Sequence, residues 1–143
     1  MQIPQAISSQ PTLKDLSLCD VVNDVIRESA PLAVYNRNYI VNNISPDLCI
    51  ETNDTIVSAV LHKLFQTVIR NTQNSVMLIS AKAYGMTVLV QVKSKGSISP
   101  GLPEEIGYAC LKAQKTGGII EMIQCEREQA SVAYCFLNVS GAA

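Results

Sequence analysis

The chain has 143 residues, 48% of them hydrophobic and 16% charged, which is long enough for one buried core and excludes a disordered polymer. A net charge of −1, without any Lys/Arg cluster beyond neighbouring pairs, argues against a groove that neutralises nucleic-acid phosphates. One histidine and five scattered cysteines without a Cys-x-x-Cys pair argue against a zinc site, so we expect the cysteines to be small core residues.

The first 14 residues contain prolines and serines without periodicity, and we expect a flexible lead-in there. A single domain is then expected over residues 15–140. The start of the chain lacks a signal-peptide pattern, and no apolar run approaches the roughly 20 residues of a membrane span. A soluble, cytoplasmic protein is therefore the expectation.

The first predicted helix begins near Ser17. Ser17 and Asp20 have the spacing of a capping box, with Asp in place of the usual Glu. Apolar residues recur on one face up to Pro31, which lacks an N–H group and clashes with the preceding turn. We expect Pro31 to end or kink this helix, after which residues 32–35 can add one further turn.

The most regular segment is a helix over residues 54–71, capped by Asn53 or Asp54. Two short strands precede it, at residues 39–44 and 48–51. Its expected buried stripe consists of Val57, Val60, Leu61, Leu64 and Val68. Its polar side is expected to carry, along one flank, Lys63, Thr67 and Arg70.

The second half of the sequence predicts two hairpins around a short helix. Strands over residues 76–84 and 87–92 are joined at Gly85, which is free to adopt a positive φ. After a loop at 96–103, the helix begins at Pro103 and stops at Gly117-Gly118. The last hairpin is expected from strands at residues 119–125 and 131–139.

Helices mixed with antiparallel hairpins predict the α+β class. We expect a two-layer sandwich in which one mixed, mainly antiparallel sheet carries the helices on one face.

The order of these elements resembles the GHKL family, the ATP-binding domains of histidine kinases, over about residues 13–140. Leu16–Val34, with "RESAPLA", is similar to the helix that leads into the family's ATPase core. "ETNDTIVSAVLHKLFQTVIRNT" is similar to the helix that ends in Asn-Ala-Ile-Lys, and "VLVQVKSKG" to the strand that ends in Asp-x-Gly. "IGYACLKAQKTGGIIEM" is similar to the Gly-Leu-Gly-Leu helix with its following Gly-Gly and strand.

The residues that carry chemistry in this family are mostly replaced. The family's magnesium-binding Asn corresponds to Thr67, an earlier Asn of that helix to Lys63, and the adenine-reading Asp to Ser94. A Thr hydroxyl is a poor substitute for the hard oxygen ligands that magnesium prefers, and a nearby ammonium repels the metal. Ser94 can accept one hydrogen bond but has no charge to strengthen it.

The glycine-rich lid of the family is also reduced, to roughly residues 97–102. Gly96 retains the glycine that follows the replaced Asp, while the second glycine of that box corresponds to about Ile98. Of the last glycine box only Gly107 matches. Few backbone N–H groups then remain to hold phosphates.

The resemblance therefore implies a degenerate histidine-kinase-like ATP-binding domain that is catalytically inactive and works as an interaction or scaffold module in two-component-type signalling. Its expected partners are a kinase, a response regulator or a second copy of the chain as a homodimer, without nucleic acid. We expect no catalytic residue, no metal ligand and no cofactor. His62 is interpreted as a solvated helix residue.

Two alternatives remain. In the first, the chain is the ATP-binding domain of a sensor histidine kinase with atypical motifs, and ATP with magnesium is its cofactor; phosphate charge then comes from Lys63, Arg70, Lys93 and Lys95. In the second, the chain is an unrelated α+β domain, and its sharpest form is a small-molecule enzyme. The carboxylates that such an enzyme could use are Asp20, Asp24 and Glu28 on one helix and Glu104 and Glu105 on another. Both sets are more simply solvated faces or complements of a helix dipole.

Overall fold

The computed structural model describes residues 16–139, so the expected lead-in at residues 1–14 lies outside the described residues. In chain order the elements are β1 (Leu16–Ser17), α1 (Leu18–Tyr35), β2 (Tyr39–Asn42), β3 (Cys49–Ile50), α2 (Asp54–Arg70), β4 (Thr72–Tyr84), β5 (Thr87–Ile98), α3 (Leu102–Lys115), β6 (Ile119–Cys125) and β7 (Gln129–Leu137).

Five strands form one mixed sheet in the order β2-β4-β5-β7-β6. β2 runs parallel to β4, and every other neighbouring pair in this sheet is antiparallel. β1 and β3 form a separate two-stranded ribbon. Irregularities interrupt the pairing of β4 between Gln73 and Val76 and that of β6 between Met122 and Gln124. The predicted α+β class and the mainly antiparallel sheet are confirmed.

The core lies between the sheet and three helices packed on one of its faces. Along each central strand, alternate side chains are buried, as a sheet covered on one face requires. In α2, which packs against both α1 and α3, all five residues of the expected stripe are buried. Asn53 caps this helix, because its side-chain oxygen accepts from the backbone N–H groups of Thr55 (2.9 Å) and Ile56 (3.3 Å).

Helix α1 runs through Pro31 to Tyr35, so it does not end at the proline and it includes the further turn expected at residues 32–35. Pro31 itself is exposed. Ser17 occupies the N-cap position, but its hydroxyl makes no capping hydrogen bond and is buried without a partner. Burial of the helix against the core, through residues such as Val22 and Val25, thus outweighs the local signals at both positions.

Strand β5 is six residues longer than its predicted end at residue 92. The alternation of buried and exposed side chains continues, because Lys93 and Lys95 point to solvent while Ser94 points inward. The antiparallel ladder with β7 extends to Lys95. The predicted loop at residues 96–103 therefore shrinks to the three residues between Ile98 and Leu102.

The cysteines are less buried than expected. Cys49 and Cys125 are exposed, and the other three are partly buried, so the interpretation of all five as core residues is wrong. All five are free thiols. Between residues 16 and 139 no group of three His, Cys, Asp or Glu side chains is arranged to hold a metal ion. No helix of this described part is long and apolar enough to cross a membrane.

Candidate functional site

The position that the sequence resemblance assigns to the magnesium ligand is buried in the structure. Thr67 lies in the last part of α2 and is completely buried, not on the polar flank where we expected it. Its hydroxyl donates a hydrogen bond to the carbonyl oxygen of Lys63, at 2.8 Å, one turn back along the same helix. The hydroxyl is thus satisfied by its own helix and unavailable to a ligand from outside.

The position that the resemblance assigns to the adenine-reading Asp is also buried. Ser94 lies on the helix-facing side of β5, opposite Met77 of β4 and Ala130 of β7, and is 1% exposed. Its hydroxyl is buried without a hydrogen-bond partner. A base can hydrogen-bond to Ser94 only after neighbouring groups have moved away.

A polar contact between α2 and α3 holds these two helices together beside the site. Glu105, in the first turn of α3, accepts hydrogen bonds from the Arg70 guanidinium and from the Asn71 side-chain amide, both at 3.1 Å. The same Asn71 amide donates to the carbonyl oxygen of Thr67 at 2.8 Å. We call Arg70, Asn71 and Glu105 the α2–α3 clasp.

The clasp also acts on the charge of Glu105. The hydrogen bond from Asn71, followed by the one from Arg70, holds the pKa of this carboxyl below its ordinary value. Sequence reasoning assigned Glu105 to the dipole of its own helix and passed over Asn71. The only signal in the sequence was an Asn directly after the last helical residue, where a side chain commonly binds unpaired backbone carbonyls.

The two retained glycines have different surroundings. A Cβ atom on Gly96 would lie 2.5 Å from the Cα atom of Ser75 and 2.7 Å from the carbonyl oxygen of Asn74. Gly96 therefore permits the close approach of β4 and β5 next to the irregular pairing of β4. Gly107 is exposed in α3, and a Cβ atom there would meet nothing within 4 Å.

The four cations of the nucleotide-binding alternative are not brought together. Lys63 and Arg70 belong to α2 in the helical layer, and Arg70 is engaged by Glu105. Lys93 and Lys95 are exposed on the face of the sheet that points away from the helices. One nucleotide cannot contact both pairs.

An open groove crosses the outer side of α2. Its volume is about 500 Å³, and its lining includes Glu28 from α1, Asp54 and Lys63 from α2, and Lys112 from α3. His62 also lines it, partly exposed, with its Nε2 atom 3.6 Å from a carboxylate oxygen of Glu28. Carboxylates and cations are mixed along this groove, so it does not present one sign of charge to an anionic ligand.

The architecture is similar to that of solved histidine kinase structures. The histidine kinase AdeS of Acinetobacter baumannii superposes with a TM-score of 0.72 at 11% identity, over 87% of this chain and 66% of that one. A nucleotide-free catalytic domain of the histidine kinase ThkA gives 0.70 at 19% identity, over 87% of this chain and 94% of that domain. ThkA in complex with the response regulator protein TrrA gives 0.68 at 15% identity, over 90% of this chain but 42% of that one.

No protein-family model matches the sequence, and no curated protein matches it either. At such low identities the structural likeness establishes the fold and not the activity. The chain spans less than two thirds of AdeS and less than half of the ThkA chain in that complex. The described chain has the fold of the catalytic, ATP-binding domains of histidine kinases of the GHKL type.

Proposed function

We propose that this domain does not bind nucleotide and serves as a protein-interaction module in two-component-type signalling. The observation that carries the proposal is the burial of Thr67 and Ser94, the two positions that correspond to the family's magnesium and adenine contacts. Neither side chain carries charge, and neither is reachable from solvent. The intact core supports a role that needs the fold without needing the pocket.

Opening the closed site has a physical cost. To reach Ser94, a ligand must displace part of the helical layer that covers this face of the sheet; in that layer α3 buries Leu102 and Ile106 almost completely. Exposing each of these side chains costs roughly 1.5–3 kcal/mol. A movement of α3 also breaks the α2–α3 clasp. Without a carboxylate for adenine or an Asn for magnesium, few ligand contacts offset that cost.

The proposed partners are signalling proteins: a kinase, a response regulator or a second copy of this chain. The support is that a structural neighbour, ThkA, is seen in complex with the response regulator protein TrrA. A domain of the same fold thus occurs in such assemblies. The proposed location in the cytoplasm rests on this class of partner.

Isothermal titration with ATP and ADP at millimolar concentration, with and without magnesium, tests the loss of nucleotide binding. We expect no heat of binding and no shift of the melting temperature. A nucleotide-binding histidine kinase domain, titrated in the same buffers, is the positive control. Magnesium-dependent binding by this chain would overturn the proposal.

A variant of the clasp distinguishes two reasons for the absence of nucleotide binding: a site that is blocked, and a site that lacks the side chains to bind nucleotide. Glu105→Ala releases Arg70 and Asn71, so α3 is held less tightly against α2. We expect this variant to remain without measurable nucleotide binding, because Thr67 and Ser94 still supply no charge. If Glu105→Ala gains binding, the clasp alone keeps nucleotide out and the domain is an inhibited binder. If Lys63→Ala then removes that binding, the atypical nucleotide site is correct.

A further inference from the structure

The outward face of the sheet is unusually apolar. In an antiparallel sheet that carries helices on one face, the outward side chains are normally polar. We call the side of the five-stranded sheet that points away from the helices the open face. It carries six exposed large hydrophobic residues, among them Tyr39 at 69% and Val76 at 50% exposure; the others are Leu78, Tyr84, Ile119 and Leu137.

The strand register brings part of this set into one patch. Tyr39 of β2 lies opposite Val76 of β4, and Val41 lies opposite Leu78. Neighbouring strands are about 4.8 Å apart, and alternate residues of one strand share a face. These four side chains, the open-face patch, are therefore contiguous. Contiguous apolar surface of this kind marks an interaction site more often than scattered residues do.

Lysines border the open-face patch. Lys93 of β5 lies opposite Leu78, Lys95 lies opposite Val76, and Lys82 follows four residues after Leu78 on β4. Within residues 16–139 none of these lysines forms an ion pair. Among the described strand residues of the open face, the one carboxylate is Glu121, on β6 at the far edge.

One of these three lysines has acidic neighbours. Lys95 shares a shallow pocket with Glu126 and Glu128 of the β6–β7 hairpin. Lys93 borders the patch on β5, and Lys82 lies beyond Ser80 on β4; within residues 16–139 neither forms an ion pair. The open face is thus apolar and basic, although the whole chain has a net charge of −1.

We propose that the open face is the docking surface of this domain and that its occupant is an amphipathic helix of a partner protein. The apolar side of that helix covers Tyr39, Val76 and Leu78, and acidic side chains beside it meet Lys82 and Lys93. A helix suits the site because an exposed apolar sheet face is covered by helices or by another sheet. This inference rests on the proposed function, in which the domain works through protein contacts.

The charge of the open face favours an acidic helix over a second copy of this chain as the occupant. A second copy stacked on the open face would bring the lysines of both copies together, and like charges across an interface are disfavoured. An acidic helix pairs with the same lysines. A helix on the open face also makes no hydrogen bonds to the edge strands of the sheet.

The test is a selection from a displayed library of helical peptides of about 18 residues, long enough for five turns. The target is the chain itself. We expect the enriched peptides to carry apolar residues at i, i+3 or i+4, and i+7, flanked by Asp and Glu. Individual peptides are then synthesised and their Kd values measured by fluorescence anisotropy.

Two matched variants locate the binding. Val76→Thr with Leu78→Thr removes apolar surface from the open face, with residues that favour strands. Tyr108→Ser with Leu111→Gln removes apolar surface that is more exposed, from α3 in the helical layer on the opposite side of the sheet. We expect roughly tenfold or more weaker binding with the first variant and unchanged binding with the second. Circular dichroism and thermal melts establish that both variants are folded.

Charge reversal tests the chemistry of the partner. In Lys82→Glu with Lys93→Glu, the acidic peptides should lose affinity, and a new selection should enrich basic ones. Binding lost in the α3 variant instead, enrichment without acidic residues, or no enrichment overturns the proposal. A concentration-dependent dimer that the open-face variant abolishes also overturns it, with a second copy as the occupant. Nucleotide binding in the titration would instead overturn the proposed function, so the two failures are distinguishable.

Discussion

Ser94 lies on the buried side of β5, and its surroundings decide which side chains this position accepts. The Ser94 hydroxyl is buried without a hydrogen-bond partner, which costs some free energy of folding. A neutral hydroxyl is nevertheless tolerated in a buried strand. A carboxylate at the same place needs a ligand or a hydrogen-bond donor to remain ionised in the interior. The described surroundings of Ser94 therefore suit a small neutral side chain.

Restoring the acid at this position should destabilise the protein. We expect Ser94→Asp to lower the free energy of unfolding by about 3 kcal/mol at pH 7, because it places an unpaired charge in a buried site. Ser94→Ala is the control and should be neutral or slightly stabilising, since it removes an unpartnered hydroxyl. Urea unfolding at neutral pH measures both. A stable Ser94→Asp protein would mean that the site is open to water.

The two retained glycines should respond oppositely to alanine. Gly96→Ala should lower the free energy of unfolding by roughly 2 kcal/mol or more, because its Cβ atom would overlap the backbone of Ser75. Gly107→Ala should raise it by roughly 0.5–1 kcal/mol, because alanine favours an exposed helix position. Thermal unfolding measures both changes. Equal effects would contradict the assignment of Gly96 to strand packing.

At the scale of elements, the α2–α3 clasp makes a pH-dependent contribution to stability. The folded-state pKa of Glu105 is lowered, so its contribution is present at neutral pH and is lost as pH falls through the folded pKa. Glu105→Gln should reduce the free energy of unfolding at pH 7 by roughly 0.5 kcal/mol. The effect is small because both Glu105 and Arg70 are more than a third exposed and solvent screens the pair.

The measurement is the difference in stability between the parent chain and Glu105→Gln from pH 7 down to roughly pH 3. We expect this difference to shrink toward the acid end, where Glu105 is protonated. Glu104→Gln, a neighbour outside the clasp, is the control. A difference that stays constant with pH would mean that charge does not hold the clasp.

The elements that were predicted well are those whose periodicity is long and undisturbed. The stripe of α2, the hairpin link at Gly85 and the stop at Gly117 all follow from local rules. Pro31 does not end α1, because packing of the helix on the core outweighs a local helix breaker, and residues 32–35 form the further turn that the sequence allowed. The end of β5 was misjudged because Ser94 and Gly96 are residue types common in turns, and their place in a strand becomes clear only when the partner strand is known.

The candidate site was harder to predict than the fold. The pattern of α2 put Thr67 on a polar flank, but in the folded domain this side chain is completely buried. Lys63 and Lys95 were considered together as phosphate-binding residues, but Lys63 lies in the helical layer and Lys95 on the outward face of the sheet. Such outcomes depend on which faces meet in three dimensions, and no local spacing encodes that.

At the scale of the whole molecule, stability should be highest in the centre of the sheet. β5 is paired on both sides over most of its length, and α2 is packed between two helices. We expect the slowest amide hydrogen exchange in β5 and α2 and the fastest, among the sheet strands, in β2 and β6. Exchange followed by mass spectrometry checks this order. Slow exchange throughout β6 in dilute solution would contradict it.

The irregular pairing of β6 has a consequence for the behaviour of the protein at high concentration. A regular edge strand is a template for further strands and thus for fibrils. β6 is interrupted between Met122 and Gln124, and the opposite edge of the described sheet, β2, has four residues. Neither edge offers a long, regular row of backbone groups, so the chain can expose an apolar sheet face without growing into an amyloid ladder.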